Sequence, residues 1–267
     1  MAEIAAALVK ELRGRTGAGM MDCKRALQDA NGDMDAAIVL LREKGMAGAA
    51  KRASRETTEG VVGYRLADDG SKGTMVAVGS ETEPVSKNAE FQAFAKKVLD
   101  TVDAGGVGAE AKLETERTEL AAKLGENIAV AGAARFEAVN GAIVAAYSHP
   151  PANKLGVLLQ LRGGDAELGR KVAMHIAAAN PQWIDRDGVP ADAVTAEREI
   201  YANSDEVQSK PEHAREKIVE GMLGKRFFAA NVLVDQEWIH DSGKTVGKAL
   251  KEAGAEVLEY QRFSLAG

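Results

Sequence analysis

Ser242, Gly243, Lys244 and Thr245 set a lysine and a hydroxyl beside a glycine, the residue types that hold nucleotide phosphates and magnesium. The rest of the phosphate-loop pattern fails, because Trp238 stands where its first glycine belongs. SGKT therefore reads as a turn that caps a helix. In GGDAELGRK (163–171) the glycine spacing is suitable, but Arg170 replaces the required lysine. His149, His175, His213 and His240 fall in different segments and share no metal-ligand spacing. No Ser/His/Asp or Cys/His order reads as nucleophilic catalysis, so no metal and no cofactor is expected. His175 has helical neighbours and reads as a partly buried helix residue, whereas His149, just before Pro150, reads as a surface contact. Met20 and Met21 follow a glycine loop, and two readings stand for them: helix core, or an adaptable thioether binding surface.

A chain of 267 residues, 45% hydrophobic, is long enough to bury a real core, as one large domain or two to three small ones. Its 34 basic and 40 acidic residues give a net charge of -6, which argues against nucleic acid as a partner. Cys23 is the single cysteine, so there is no disulfide framework, and a reducing, cytoplasmic setting is expected. The first segment, MAEIAAALVKELRGR, reads as an amphipathic helix rather than a signal peptide. No apolar run approaches bilayer-spanning length, so no membrane partner is expected.

The elements follow from periodicity. Ile4, Leu8 and Leu12 recur at helical spacing; the glycines between 14 and 19 interrupt it before Met20, Met21, Ala26 and Leu27. Asn31-Gly32-Asp33 signals a turn and cap, and a third helix runs to Lys44-Gly45. An alanine-rich stretch, 46–54, reads as a helical or flexible linker. Beyond it the period changes to two. GVVGYRLAD and GTMVAVGSE form a hairpin and NAEFQAFAKKVLDTV a helix; GAIVAAYSH, KLGVLLQLRG and DAELGRKVAMHIAAAN repeat that order at the same offset. Residues 112–126 read as a charged helix, and GENIAVAGAARFEAV as a strand. Residues 193–221, split by Pro211, read as a helical hairpin. NVLVDQEWI reads as a strand, TVGKALKEAGA as a helix and EVLEYQRFSL as a last strand.

The run TGAGMMDCKRAL (16–27), with LVKELRGR before it and NGDMDAAIVLLREKG after it, resembles the N-terminal module of the bacterial elongation factor Ts family. NAEFQAFAKKVLD, LGENI, KVAMHIAA and GKTVGKALKEAGAEV resemble the same family, so the likeness spans almost the whole chain. It implies an α+β fold: a ubiquitin-associated-like three-helix domain (1–54), then a core of two duplicated antiparallel hairpin-plus-helix subdomains. These are 55–140, and 141–180 together with 226–267, with a helical hairpin inserted at 181–225.

The resemblance also implies a guanine nucleotide exchange factor that is not an enzyme. Such a factor binds GDP-bound elongation factor Tu, displaces magnesium and releases GDP so that GTP can enter. The family's contacts map onto Lys10, Arg13, Met20 and Met21 in the first module, and onto Leu124 and His149 in the core. A further apolar contact maps onto Ile239 and His240, where His240 departs from the family pattern. Magnesium displacement maps onto Thr82, Glu83, Pro84 and Val85. There the family has threonine, aspartate and a wedging phenylalanine, whereas this chain lacks the phenylalanine and carries Pro84. Either the proline fills a smaller version of the slot, or it only shapes the turn before the helix. The projecting hairpin leaves room for a weak homodimer, although its polar arms favour an intramolecular pair.

Overall fold

The computed structural model describes residues 4–266. Helices α1 (Ala6–Thr16), α2 (Met20–Asp29) and α3 (Met34–Arg52) enclose a small core of Val9, Leu12, Cys23, Ala26, Leu27 and Ala37. Asp33 starts α3 as its N-cap, its carboxylate accepting the Ala36 N–H at 2.9 Å. The helix does not stop at Lys44-Gly45, as periodicity alone indicates, but continues to Arg52. The extension has a partner: a Cβ on Gly45 would lie 2.9 Å from that of Ala122, and Ala49 joins the core of the first sheet. The alanine-rich stretch is therefore mostly a docked helix end, because small side chains let two helices approach closely.

Two similar units follow. The first comprises β1 (Glu59–Leu66), β2 (Lys72–Ser80), the single-turn α4 (Glu83–Ser86), α5 (Ala89–Gly105), α6 (Glu114–Leu124) and β3 (Ile128–Glu137). The second comprises β4 (Ala142–Ser148), β5 (Leu155–Arg162), α7 (Ala166–Ala179) and, after a long excursion, β6 (Glu256–Ser264). Each unit forms a three-stranded antiparallel sheet with the hairpin's second strand in the middle. The duplication thus reaches beyond hairpin and helix to the third strand. Both third strands carry a register shift, opposite Ala77/Val78 in one sheet and Gln160/Leu161 in the other.

The layers explain the strand sequences. Val76 and Val78 face α5, while Met75 and Ala77 face the second sheet. In β5, Val157, Leu159 and Leu161 face α7, while Leu158 faces the first sheet. The middle strands are buried on both faces and so read as nearly continuous apolar runs. The sheets stack face to face, each covered outside by its own helix. At their interface Gly73 pairs with Phe136 and Gly156 with Phe263, the same combination in each unit. The space over Gly73 is filled by Val144 and Leu158 and that over Gly156 by Val62 and Met75, while the Phe263 ring lies over Gly132 of the first sheet.

The excursion runs through α8 (Ala191–Ala202), α9 (Asp205–Gln208), α10 (Glu212–Met222), a π-helical stretch (Leu223–Phe228), α11 (Ala229–Asn231) and α12 (Val246–Glu252). Helices α8 and α10 pair around Val207, Val219, Met222 and Leu223, with an Arg198–Glu220 ion pair at 2.8 Å. NVLVDQEWI is not a strand. It forms a short turn (Leu233–Asp235) and two isolated bridges, Trp183 to Val232 and Glu237 to Thr245. Its alternating apolar residues instead bury Leu233 and Trp238 against the second core, since β6 already occupies the free side of β5.

The close sheet approach yields a stability prediction. A Cβ at Gly73 would lie 2.5 Å from Val144 Cγ1 and 2.9 Å from Leu158 Cδ1, whereas one at Gly63 meets nothing within 4 Å. Gly73→Val should lower the urea-unfolding free energy by about 1–3 kcal/mol, as overpacking does. Gly63→Ala should leave it nearly unchanged.

Candidate functional site

Three turns gather at one end of the stacked sheets. Ser80, the last residue of β2, pairs with Glu59 at the start of β1 and with Ile128 at the start of β3. The β4–β5 turn docks alongside: Ser148 Oγ donates to the Val62 carbonyl at 2.9 Å, and the Val62 N–H donates to the Asn153 carbonyl at 2.6 Å. Residues 82–85, Leu124 and His149 are thereby brought to the same end.

Two carboxylates clamp the first two turns reciprocally. From the α6–β3 turn, Glu126 accepts the Thr82 N–H at 3.0 Å and the Thr82 hydroxyl at 2.5 Å. From the β2–α4 turn, Glu81 accepts the Asn127 N–H at 2.6 Å and pairs with Arg55 at 3.2 Å. The Asn127 N–H, helped by Arg55 and opposed by burial, holds the Glu81 carboxyl below its ordinary range. Charge-assisted bonds to backbone amides are about twice as strong as neutral ones. Gly125, with φ of 77°, makes the tight approach of Glu126 feasible, since a left-handed residue must end α6 there.

On this support Thr82 becomes the residue before α4, Glu83 opens the turn and Pro84 follows within it. A proline in the first helical turn forfeits no intrahelical bond. Its ring is exposed, while Val85 and Leu124 are half-buried against the first core. Pro84 thus fits the turn, and its ring is open to solvent. Glu83 pairs with Lys87 at 2.7 Å, which holds its carboxyl below the ordinary range and raises the Lys87 ammonium. Lys154, itself paired with Glu59, also acts on Glu83, so the third turn is electrostatically tied to this edge. His149 is exposed in that turn, its Nδ1 sharing a hydrogen bond of 2.7 Å with the Tyr147 hydroxyl.

The other candidates lie on separate faces. Lys10 and Arg13 are exposed on α1, and Met20 and Met21, 46% and 63% exposed, begin α2 outside the three-helix core. That exposure removes the helix-core reading of the two methionines. Ile239 is exposed in a loop against α7, and the His240 ring packs edge-on to Trp238 while its Nε2 bonds the Lys171 carbonyl at 3.1 Å.

His175 is fully rather than partly buried. Its Nδ1 accepts the Ile239 N–H at 3.4 Å, so Nε2 carries the proton that bonds Gln236 Oε1 at 2.9 Å. Its ring stacks on Trp238. Burial pushes its pKa below the ordinary 6.5.

The phosphate-loop look-alikes are helix caps. Thr245 Oγ1 accepts the Lys248 N–H at 3.3 Å, and Lys244 pairs with Glu252 at 2.8 Å. Asp165 caps α7 by accepting the Leu168 N–H at 2.8 Å, placing a carboxylate where a phosphate would have to sit. Glu81, Glu126 and Asn127 belong to no motif that spacing reveals. Glu126 and Asn127 lie in LGENI, one of the segments that resemble the family, but nothing there marks them as a clamp for Glu81 and Thr82.

This end of the sheets presents three braced turns and an exposed proline ring to solvent. The family model described as Elongation factor TS matches residues 81–267. The chain is 43% identical over 272 residues to elongation factor Ts of Thioalkalivibrio sulfidiphilus, covering 98% of this chain and 92% of that protein. It is 41% identical to that of Methylococcus capsulatus over 273 residues, with the same shares covered. With elongation factor Ts of Escherichia coli it shares 42% over 269 residues, covering 99% of this chain and 92% of the relative. The chain belongs to the elongation factor Ts family, a family of translation elongation factors. No helix of the described residues is long and apolar enough to cross a membrane.

His175 generates a pH prediction. Burial holds its folded-state pKa below the 6.5 of the unfolded chain. As pH falls through 6.5, the unfolded state takes up a proton that the folded state does not. Its stability contribution is complete above that pH and declines until the depressed folded value is reached. Chemical unfolding between pH 7 and 5 should show this loss, and His175→Gln should flatten the slope.

Proposed function

We propose that this protein is a cytoplasmic guanine nucleotide exchange factor. It binds GDP-bound elongation factor Tu, displaces the magnesium ion and releases GDP so that GTP can bind. It acts by protein–protein contact and catalyses no covalent step. The observation that carries the reading is the braced edge, which holds an exposed proline ring and the Glu83–Lys87 pair on a turn clamped by Glu81 and Glu126.

In this reading Lys10, Arg13, Met20 and Met21 supply an adaptable apolar and basic contact. Leu124 and His149 flank the edge, and Ile239 with His240 engages a second part of the GTPase. Residues 82–85 enter beside the magnesium and phosphates. A rigid ring with no donor to desolvate inserts at low ordering cost. Loss of magnesium removes charge compensation from the phosphates, which is why displacing it loosens GDP. Coupling is reciprocal: a factor that weakens GDP binding is itself bound more weakly by the GDP form, by the same ratio.

The units we assign are 1–54, 55–140, 141–180 with 226–267, and the hairpin 181–225. A weak homodimer through that hairpin is a secondary proposal, and Ile200, 62% exposed on α8, is the side chain such a contact would cover.

The test is release of labelled GDP from purified elongation factor Tu with the factor at saturation. The intact chain should accelerate release while binding no GDP itself. Pro84→Ala should slow saturated release about fivefold, the ~1 kcal/mol lower bound for an interface residue that matters. An unchanged rate for both Pro84→Ala and Pro84→Phe would remove the wedge role from Pro84.

A further inference from the structure

The reciprocal clamp has a third arm that reaches toward the N-terminal helices. Asn127 is 4% exposed. Its side-chain Nδ2 donates to the Arg55 carbonyl at 2.8 Å and to the Ala53 carbonyl at 3.3 Å, while its backbone N–H donates to Glu81. Residues 53–55 form the strap by which α3 enters the first sheet, and Arg55 returns from that strap to pair with Glu81. One residue thus joins the end of α3, the turn ahead of residues 82–85, and the turn that follows Leu124. Helix α3 is fixed a second time further back, where Arg52 donates to the Ala121 carbonyl at 3.3 Å and Arg42 pairs with Glu119.

The arrangement is specific to an amide. The two carbonyls need donors, and the Nδ2 group supplies two hydrogens in one plane. An aspartate would turn an acceptor toward both carbonyls, and a serine has a single donor on a shorter arm. Nor is the site needed to close a core, since the adjoining Ile128 and Ala121 already do so.

We infer that Asn127, with Glu81 and Arg55, is a positioning clasp that makes the N-terminal module and the Thr82–Pro84 edge one rigid body, so that binding through the module drives the edge into the GTPase. The inference rests on the exchange-factor reading. Buried Asn127 is a positioning residue that acts through residues 53–55 and 81. With the clasp intact, module contacts are made only with the edge in place. With it broken, α3 is held only through Arg52 and Arg42 and the edge only through Glu126, so the edge is held less firmly while the module still binds, and less interaction energy reaches the release step.

The test is a concentration series of full-length factor in the GDP-release assay, comparing the intact chain with Asn127→Ser, Glu81→Ala and Glu81→Gln. Breaking the clasp should lower the saturated release rate by about fivefold or more, the lower end of couplings between sites. The half-saturating concentration should change much less. Glu81→Gln keeps a side-chain oxygen to accept the Asn127 N–H and should restore most of the rate lost in Glu81→Ala. A merely structural role would lower the melting temperature of Asn127→Ser and leave the saturated rate, measured well below that temperature, at its original value. That result, or a loss confined to the half-saturating concentration, would overturn the inference. Failure of the intact chain to accelerate release would instead overturn the exchange-factor reading, so the two failures are distinguishable. If Asn127→Ser does not fold, the comparison of Glu81→Ala with Glu81→Gln decides alone: equal saturated rates in those two variants contradict the clasp.

Discussion

The face-to-face contact of the two sheets is the constraint on which the rest of the molecule depends. Gly73 and Gly156 sit at corresponding places on the two middle strands, each across from a phenylalanine, and a side chain at either would collide with the opposite sheet. That contact buries the middle strands on both faces and leaves each sheet only its outer face for a helix. The charged residues of the middle strands, Lys72 and Arg162, accordingly stand at the strand ends. Because the β4–β5 turn must dock against β1, three of those ends coincide, and this is where the candidate edge forms.

The edge uses charge in two distinct ways. Glu81 and Glu126 turn inward and accept backbone N–H groups, which fixes the separation of two turns. Glu83 and Lys87 turn outward and pair on the surface, with side chains 63% and 73% exposed. Surface pairs of that kind contribute little stability, typically ~0–1 kcal/mol. The inward pair therefore supplies the stiffness and the outward pair is free for recognition. The repeat also admits an insertion at one place in each unit, between the covering helix and the third strand. In the first unit this is α6, which receives α3; in the second it is the α8–α10 hairpin.

Much of this was legible in the sequence, for identifiable reasons. The strands, their covering helices and the duplication follow from a period of two giving way to 3.6, and the cap at Asp33 announces α3. NVLVDQEWI misleads because an apolar alternation says that residues are buried without saying what pairs with their backbone. The length of α3 was hidden for a similar reason: an alanine-rich stretch with Gly45 and Gly48 is helical only where another helix packs on it. The resemblance around Thr82 pointed to the edge. Nothing in spacing pointed to Glu81, Glu126 or Asn127, whose backbone partners lie more than forty residues away in the chain.

We propose that the gathered turns and the separate α1–α2 face contact elongation factor Tu together. Hydrogen exchange of the backbone amides, with and without the GDP-bound GTPase, tests it most directly. The claim predicts that protection appears together at residues 82–87, at 149–154 and at the start of α2, while the opposite strand ends around Asp69 and Asn140 exchange unchanged. Protection confined to the α8–α10 hairpin, or no protection at residues 82–87, would contradict it.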